Sequence, residues 1–380
     1  MTGADTAAWV TGMAWSTCLG DDVAAVWAAL TDGASGIVEH LSDLPLRSML
    51  AARITEPDQG GSPAMRQVAL TADTARRALD DAGLDASDNR LRAVFGTSYG
   101  ANLDDPDATS LSDWSAAAAA GLTLAHPPLT TATACSAGSD ALLVGLALLR
   151  SGAAEICLCG GADVLTPGKR LGHSTIGTMS GDGLFAFDQR RSGTVLGEGA
   201  AMVVLETVRS ARARGARPRG VLAGAGSSSD AMSATAPDPS GRNVILAVER
   251  ALDSAGLTAD AVGLINAHGS GTPVNDDVEA CAYTEFFARV PVRPLVFATK
   301  GAFGHTLGAT GAIEAVATLL ALDRGEVPPI HGLASPLPAL GLPVARSRSA
   351  CPDGAALSVT LGFGGFNTCL VFQVAGSRAA

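Results

Sequence analysis

Two stretches of the chain repeat one pattern of apolar and polar positions: Arg77-Ala-Leu-Asp-Asp-Ala-Gly-Leu84 and Arg250-Ala-Leu-Asp-Ser-Ala-Gly-Leu257, 173 residues apart (250 minus 77). Before each, apolar residues recur at helical spacing, and Gly83 or Gly256 falls where a helix stops. A short polar turn then leads into a run of β-forming residues, Leu91 to Phe95 in one copy and Ala261 to Ala267 in the other. Each copy therefore predicts helix, turn, strand. Each predicted strand ends in a small-residue turn, Gly96-Thr-Ser98 or His268-Gly-Ser270, where open α/β sheets gather their chemistry.

Further strands are predicted at Ile156 to Cys159, Ala201 to Leu205, Val221 to Ala225, Leu295 to Ala298, Leu357 to Thr360 and Cys369 to Val374, with helical patterns between many of them. This alternation predicts a layered α/β fold. The repeat suggests two similar halves, residues 1–206 and 207–380, meeting near the arginine-rich stretch 209–219 and sharing one core.

Composition narrows the function classes. A chain of 380 residues that is 47% hydrophobic can bury a large core. Its formal charge of −11, with no basic stretch interleaved with aromatics, argues against nucleic acid as a partner. An acidic protein partner would need a local basic patch, built from residues such as Arg76, Arg77, Arg190 and Arg191. Apolar runs such as Ala141 to Leu149 are shorter than the roughly 20 residues that span a bilayer, so no membrane partner is expected. No basic residue precedes Arg47, so the amino terminus does not read as a secretory leader and a cytoplasmic protein is expected. Seven cysteines without framework spacing predict neither disulfides nor a zinc site, and six of them read as packing residues.

The seventh is Cys135. Thr131-Ala-Thr-Ala-Cys135-Ser-Ala-Gly-Ser-Asp140 leads from a β-rich approach into the helical pattern Ala141 to Arg150. At a helix amino terminus, unpaired N–H groups and the helix dipole favour the thiolate, which makes a good nucleophile. The plainer role is a small apolar residue closing a tight turn. His268 lies in Ile265-Asn-Ala-His268-Gly-Ser-Gly-Thr-Pro-Val-Asn-Asp276, and His305 in Thr299-Lys300-Gly-Ala-Phe-Gly-His305. Each follows a predicted strand, so two neutral imidazoles can donate to one developing oxyanion. Lys300 can add a fixed positive charge, and Glu314 can hold Lys300 or a water in register. Singly, each histidine could equally cap a helix and Lys300 could be solvated. His40, His126, His173 and His331 sit in no such motif and receive no role.

Near the carboxyl end, Thr360-Leu-Gly-Phe-Gly-Gly-Phe-Asn367 separates two predicted strands without the following helix of a dinucleotide fingerprint. It reads as a tight turn, either a plain hairpin or a close backbone approach with the Phe363 N–H available as an oxyanion donor.

In this order, and with Val10-Thr-Gly-Met13, Cys159-Gly-Gly-Ala-Asp163 and Leu196-Gly-Glu-Gly-Ala200 in their places, the motifs resemble those of the beta-ketoacyl-acyl-carrier-protein synthases, in the elongating Cys-His-His form. The resemblance spans almost the whole chain. It implies a thiolase-like fold with layered α-β-α-β-α architecture. It also implies an acyltransferase that joins an acyl-Cys135 thioester to malonyl carrier by decarboxylative Claisen condensation, in fatty-acid-like or type II polyketide synthesis. His268 and His305 would stabilise the carbanion equivalent, with Lys300 and Glu314 in support. The N–H groups of Cys135 and Phe363 would form the oxyanion hole, with Phe363 also the acyl gate, and Ser270 and Thr272 would contact pantetheine. No metal or cofactor is implied beyond the phosphopantetheine on the carrier. The implied partners are an acyl carrier protein and a second subunit, either another copy or a ketosynthase-like chain.

Two alternatives remain: a chain-length-factor-like subunit without catalysis, and an acyltransferase forming an ester or amide. The chain departs from the family pattern in short segments at 97–133 and 168–187, and in Phe366, whose bulky ring could narrow the site.

Overall fold

The computed structural model describes residues 7–54, 62–99, 104 and 110–376. Part of the shortened 97–133 segment, residues 100–103 and 105–109, lies outside them. The first half of the chain runs β1 (Ala8–Ser16), α1 (Val23–Thr31), the ribbon β2 (Val38–Glu39) and β3 (Leu50–Ala51), α2 (Pro63–Ala82), β4 (Leu91–Gly96), α3 (Asp113–Leu122), β5 (Leu129–Thr131), α4 (Ala137–Arg150), β6 (Ile156–Asp163), α5 (Pro167–Thr175), β7 (Gly199–Thr207) and α6 (Val208–Ala213). The second continues with β8 (Gly220–Ser229), α7 (Arg242–Ala255), β9 (Val262–Asn266), α8 (Pro273–Phe287), β10 (Leu295–Phe297), α9 (Lys300–Phe303), α10 (Thr310–Arg324), the ribbon β11 (Glu326–Val327) and β12 (Ser349–Ala350), β13 (Ala355–Gly362) and β14 (Phe366–Gln373).

The repeated helices form for the reasons their sequence suggests. Ser62 caps α2 by accepting from Met65 N, Pro63 opens it, and Gly83 closes it in the left-handed region at φ 65°. Gly256 closes α7 at φ 66°, and Val244, Ala247, Val248, Ala251 and Leu252 are its buried stripe.

The strands make one ten-stranded sheet in the order β10-β9-β13-β14-β8-β1-β7-β6-β4-β5. Read outward from its middle, each side repeats the same senses. β6 and β5 flank β4 in parallel, as β13 and β10 flank β9, while β7 with β1 and β14 with β8 are antiparallel. The sides are joined where Ala8–Val10 of β1 pair with Gly220–Leu222 of β8. α4 and α10 pack against each other and against inner sheet faces, while α2 and α7 cover outer ones, giving five layers. α4 and α10 touch closely at Gly138 and Gly311: a Cβ on Gly311 would lie 2.7 Å from Ser139 N, and one on Gly138 would lie 2.8 Å from Ala312 N.

Cys157 and Cys159 are buried on β6, but Cys281 on α8 is exposed, so the packing role expected for six cysteines does not extend to it. Its helical position turns it outward. Among the described residues, no helix is long and apolar enough to cross a membrane.

Candidate active site

Cys135 sits in a 3-10 turn, Ala134–Ser136, between β5 and α4. Asp140 on the first turn of α4 ties this turn down, accepting from Thr133 Oγ1, from Ser136 Oγ at 2.7 Å, and from Thr368 Oγ1 of β14 at 2.5 Å. The turn between β13 and β14 closes over it. Gly364 and Gly365 take φ of 85° and 82°, as a tight hairpin requires, and a Cβ on Gly362 would stand 3.3 Å from Cys135 N. The Phe363 N–H favours the thiolate form of Cys135.

The expectation that the helix end would favour the thiolate is corrected by burial. Desolvation pushes the Cys135 thiol up to about 11, and the Phe363 N–H and the Lys300 charge offset only part of it. A resting thiol that must pass on its proton is what the geometry provides.

His268 follows β9, and its loop is fixed by one carboxylate. Glu279 accepts from His268 N at 2.8 Å, Gly269 N at 2.7 Å, Asn275 Nδ2 at 2.7 Å and Tyr283 Oη at 2.7 Å. Asp276 accepts from Gly271 N at 3.1 Å and Phe187 N at 2.8 Å. Lys300, at the start of α9, donates to the His268 carbonyl and to Glu314 on α10. Burial raises Glu314 to about 7 even beside Lys300, and raises Asp276, next to Glu279, to about 7.

His305 lies between α9 and α10. Its Nδ1 accepts from Leu307 N at 3.1 Å and lies 3.0 Å from Thr310 Oγ1, so the neutral ring carries its proton on Nε2. The two rings meet edge to face, centroids 5.2 Å apart at 80°. Burial first, then Lys300, lowers both histidines well below the ordinary range, so both are neutral near pH 7. His268 Nδ1 is buried without a hydrogen-bond partner, so no hydrogen bond there fixes its tautomer. His305 is a fixed donor, whereas His268 can take a proton as well as give one.

Cys135, His268, His305, Ser270, Thr272 and Phe363 line one cavity of about 250 Å³. Lys300 and Glu314 do not line it. They lie buried behind His268, Lys300 holding the His268 carbonyl, and the Lys300 charge also reaches Cys135 and His305. Ser270 Oγ and Thr272 Oγ1 are 2.9 Å apart at its wall. Phe366 does not narrow the site: it is 37% exposed and outside the lining, because the first position of β14 turns its ring away.

His173, given no role from the sequence, is in the wall, its ring stacked on Phe363 at 5.4 Å and 19°. Sequence reasoning also missed Glu279 and Asp140, which hold the two functional turns. Asp140 had a signal in its place five residues after Cys135; Glu279 had none beyond its helical spacing from Asn275. Among the described residues, no group of three or more His, Cys, Asp or Glu side chains is placed to hold a metal ion.

Comparison with known proteins adds family patterns and relatives. The pattern described as "Beta-ketoacyl synthase, N-terminal domain" matches residues 7–211, and "Beta-ketoacyl synthase, C-terminal domain" matches 219–334. The chain is 39% identical over 256 residues to a 3-oxoacyl-acyl-carrier-protein synthase 2 of Synechocystis sp., a match spanning 65% of this chain and 61% of that one. It is 32% identical over 410 residues to the tetracenomycin polyketide synthase ketoacyl synthase alpha subunit of Streptomyces glaucescens, covering 95% of this chain and 96% of that one. The solved structure of the ishigamide ketosynthase/chain length factor superposes with a TM-score of 0.88 at 29% identity, covering 97% of this chain and 99% of that one.

Proposed function

The chain belongs to the beta-ketoacyl synthase family, and on that premise we propose that it catalyses decarboxylative Claisen condensation of an acyl-Cys135 thioester with a malonyl group on an acyl carrier protein. The observation that carries this reading is the convergence of one buried thiol and two neutral imidazoles on one cavity.

In the first half-reaction Cys135 gives up its proton, and His268, with an unfixed tautomer, is the neighbour able to take it. The sulfur attacks the carrier thioester and the carrier thiol leaves. In the second, malonyl carrier loses carbon dioxide, and the enolate oxygen that develops is held by the His305 Nε2–H and by His268. The enolate carbon attacks the acyl carbonyl, the N–H groups of Cys135 and Phe363 receive the new oxyanion, and the sulfur is released. Lys300 and Glu314 position His268 from behind, and Ser270 and Thr272 contact the pantetheine arm.

No metal or cofactor enters this scheme beyond phosphopantetheine brought by the carrier. The proposal includes a cytoplasmic setting, halves at 1–206 and 207–380 as structural units, and a dimer with either a second copy or a ketosynthase-like partner. The reading that the chain is a non-catalytic chain-length subunit is disfavoured by the complete set of thiol and imidazoles.

The test is intact-mass spectrometry of the protein and its Cys135→Ala variant, incubated with acyl carriers and then malonyl carrier. Wild type should gain an acyl mass that Cys135→Ala does not, and malonyl carrier should discharge it as a 3-ketoacyl product. Absence of any acyl mass, even with candidate partner subunits added, would overturn the reading.

A further inference from the structure

His305 is held from both sides along the chain, and one side leads to a buried ion pair outside the cavity. Its own backbone is pinned to the segment before β7, His305 N donating to Val195 O at 2.7 Å and Gly197 N donating to His305 O at 2.8 Å. Beyond it, Leu307 stands in the left-handed region at φ 52°, a conformation that a leucine keeps only where its surroundings impose it. The Leu307 N–H goes to His305 Nδ1 at 3.1 Å, and the next N–H, that of Gly308, goes to Asp163 Oδ2 at 2.9 Å. The same oxygen, at the end of β6, accepts from Ser98 N at 2.9 Å. The other carboxylate oxygen takes the ammonium of Lys169 on α5, which also donates to Val164 O at 3.0 Å. Asp163 and Lys169 are buried, and neither lines the cavity.

The turn after His305 is seated closely on this anchor. A Cβ on Gly308 would run into Ser98 N, and one on Gly161 would stand 2.5 Å from Gly308 O. Asp163 thus fixes Gly308 against the ends of β4 and β6, and with it the direction of the Leu307 N–H one residue earlier.

That N–H decides which ring nitrogen of His305 carries the proton. Thr310 Oγ1, 3.0 Å from Nδ1, does not decide it, because a hydroxyl donates to a bare nitrogen and accepts from a protonated one. The Leu307 N–H only donates, so it keeps Nδ1 bare and leaves the proton on Nε2. In a relaxed turn Thr310 would still satisfy a protonated Nδ1, and Nε2 would meet an enolate oxygen as a second acceptor. We propose that Asp163, held by Lys169, is a positioning residue that fixes the tautomer of His305 through the Leu307 N–H, and so serves the malonyl half-reaction and not the acylation of Cys135. The proposal rests on the condensing reading given above.

Two double variants isolate the acceptor oxygen. Asp163→Asn with Lys169→Met keeps a carbonyl oxygen for the two N–H groups, Asp163→Leu with Lys169→Met removes it, and neither leaves a charge buried alone. Cys135 acylation by an acyl carrier and discharge by malonyl carrier are each timed by intact mass. The His305 tautomer is read from long-range proton–nitrogen correlation spectra of histidine-labelled protein, its signals identified by their loss in His305→Gln. Wild type and the first double variant should show the Nε2–H form and agree within about threefold in both rates. The second should acylate within about threefold of wild type, discharge about tenfold or more slowly, and show His305 partly protonated on Nδ1. An Nδ1–H tautomer in wild type overturns the inference, and that measurement needs no variant to fold. A second variant whose two rates fall together, or whose discharge is unchanged, also overturns it, as does a first variant that discharges as slowly as the second. A protein that takes no acyl group at Cys135 from any carrier overturns the condensing reading, while the spectra still decide whether Asp163 sets the tautomer.

Discussion

Buried titratable groups in and around the cavity pull its pH dependence in opposite directions. His173, His268 and His305 are held below the ordinary histidine range, so in the window below about 6.5 the unfolded chain binds protons that the folded site refuses, and they make stability fall as pH drops. Asp276, Glu279 and Glu314 are held above the ordinary carboxylate range, so the folded site keeps protons that the unfolded chain has released, and the stability they contribute is lost as pH rises, for Asp276 and Glu314 through about 7. Removing one imidazole should tilt this balance. His173→Phe is expected to gain about 2 kcal/mol relative to wild type between pH 7 and pH 5, measured by urea denaturation at each pH. A difference independent of pH would show that the His173 ring is not buried in its neutral form. Sequence reasoning picked out His268, His305 and Lys300 because each follows a predicted strand, and Cys135 because it leads from a β-rich approach into a helical pattern. His173, Glu279 and Asp140 escaped it because their partners are made by folding: Asp140 meets Thr368, 228 residues away.

The turns that carry Cys135 and follow His305 are among the strained elements of the fold. Ala134 has φ 51° and Leu307 has φ 52°, each immediately ahead of a buried helix. A non-glycine residue in the left-handed region costs about 1 kcal/mol. Ala134→Gly is therefore expected to raise the denaturation midpoint by about 0.5–1 kcal/mol equivalent and to slow Cys135 acylation, because the turn gains freedom. Measuring both on the same variant checks the argument, and a lower midpoint would show that the turn stores no strain. Strands were legible wherever apolar β-formers ran together, and all eight sequence-based strands fall on sheet strands. β1 was missed because eight of its nine residues are buried, which removes the polar alternation that marks a half-exposed strand. β5 is three residues long, too short for any periodicity. β8 runs past its expected end at Ala225 because Gly226 continues the strand where a Cβ would lie 2.6 Å from Ala247 O on α7.

At the scale of the whole molecule, the sheet and the two central helices make one packed body, and α4 and α10 cross in close contact at its centre. Gly311→Ala puts a Cβ 2.7 Å from the Ser139 backbone, which cannot yield without moving α4 and the Cys135 turn at its start. The expected cost is about 1–3 kcal/mol in chemical denaturation, together with loss of Cys135 acylation. An unchanged midpoint would mean that the helices part easily. The repeating strand order follows from the repeated helix-turn-strand pattern, but the β1–β8 pairing that fuses the two sides joins residues from opposite halves of the chain and leaves no local mark. The offset of 173 residues that relates Arg77 to Arg250 also relates Ala134 to Leu307 and Gly138 to Gly311. By the same offset, Cys135 corresponds to Gly308, whose N–H donates to Asp163 at 2.9 Å. Two copies of one scaffold therefore hold one thiol between them at this turn, and the stoichiometry of acyl loading is capped at one equivalent per chain, however symmetric the backbone.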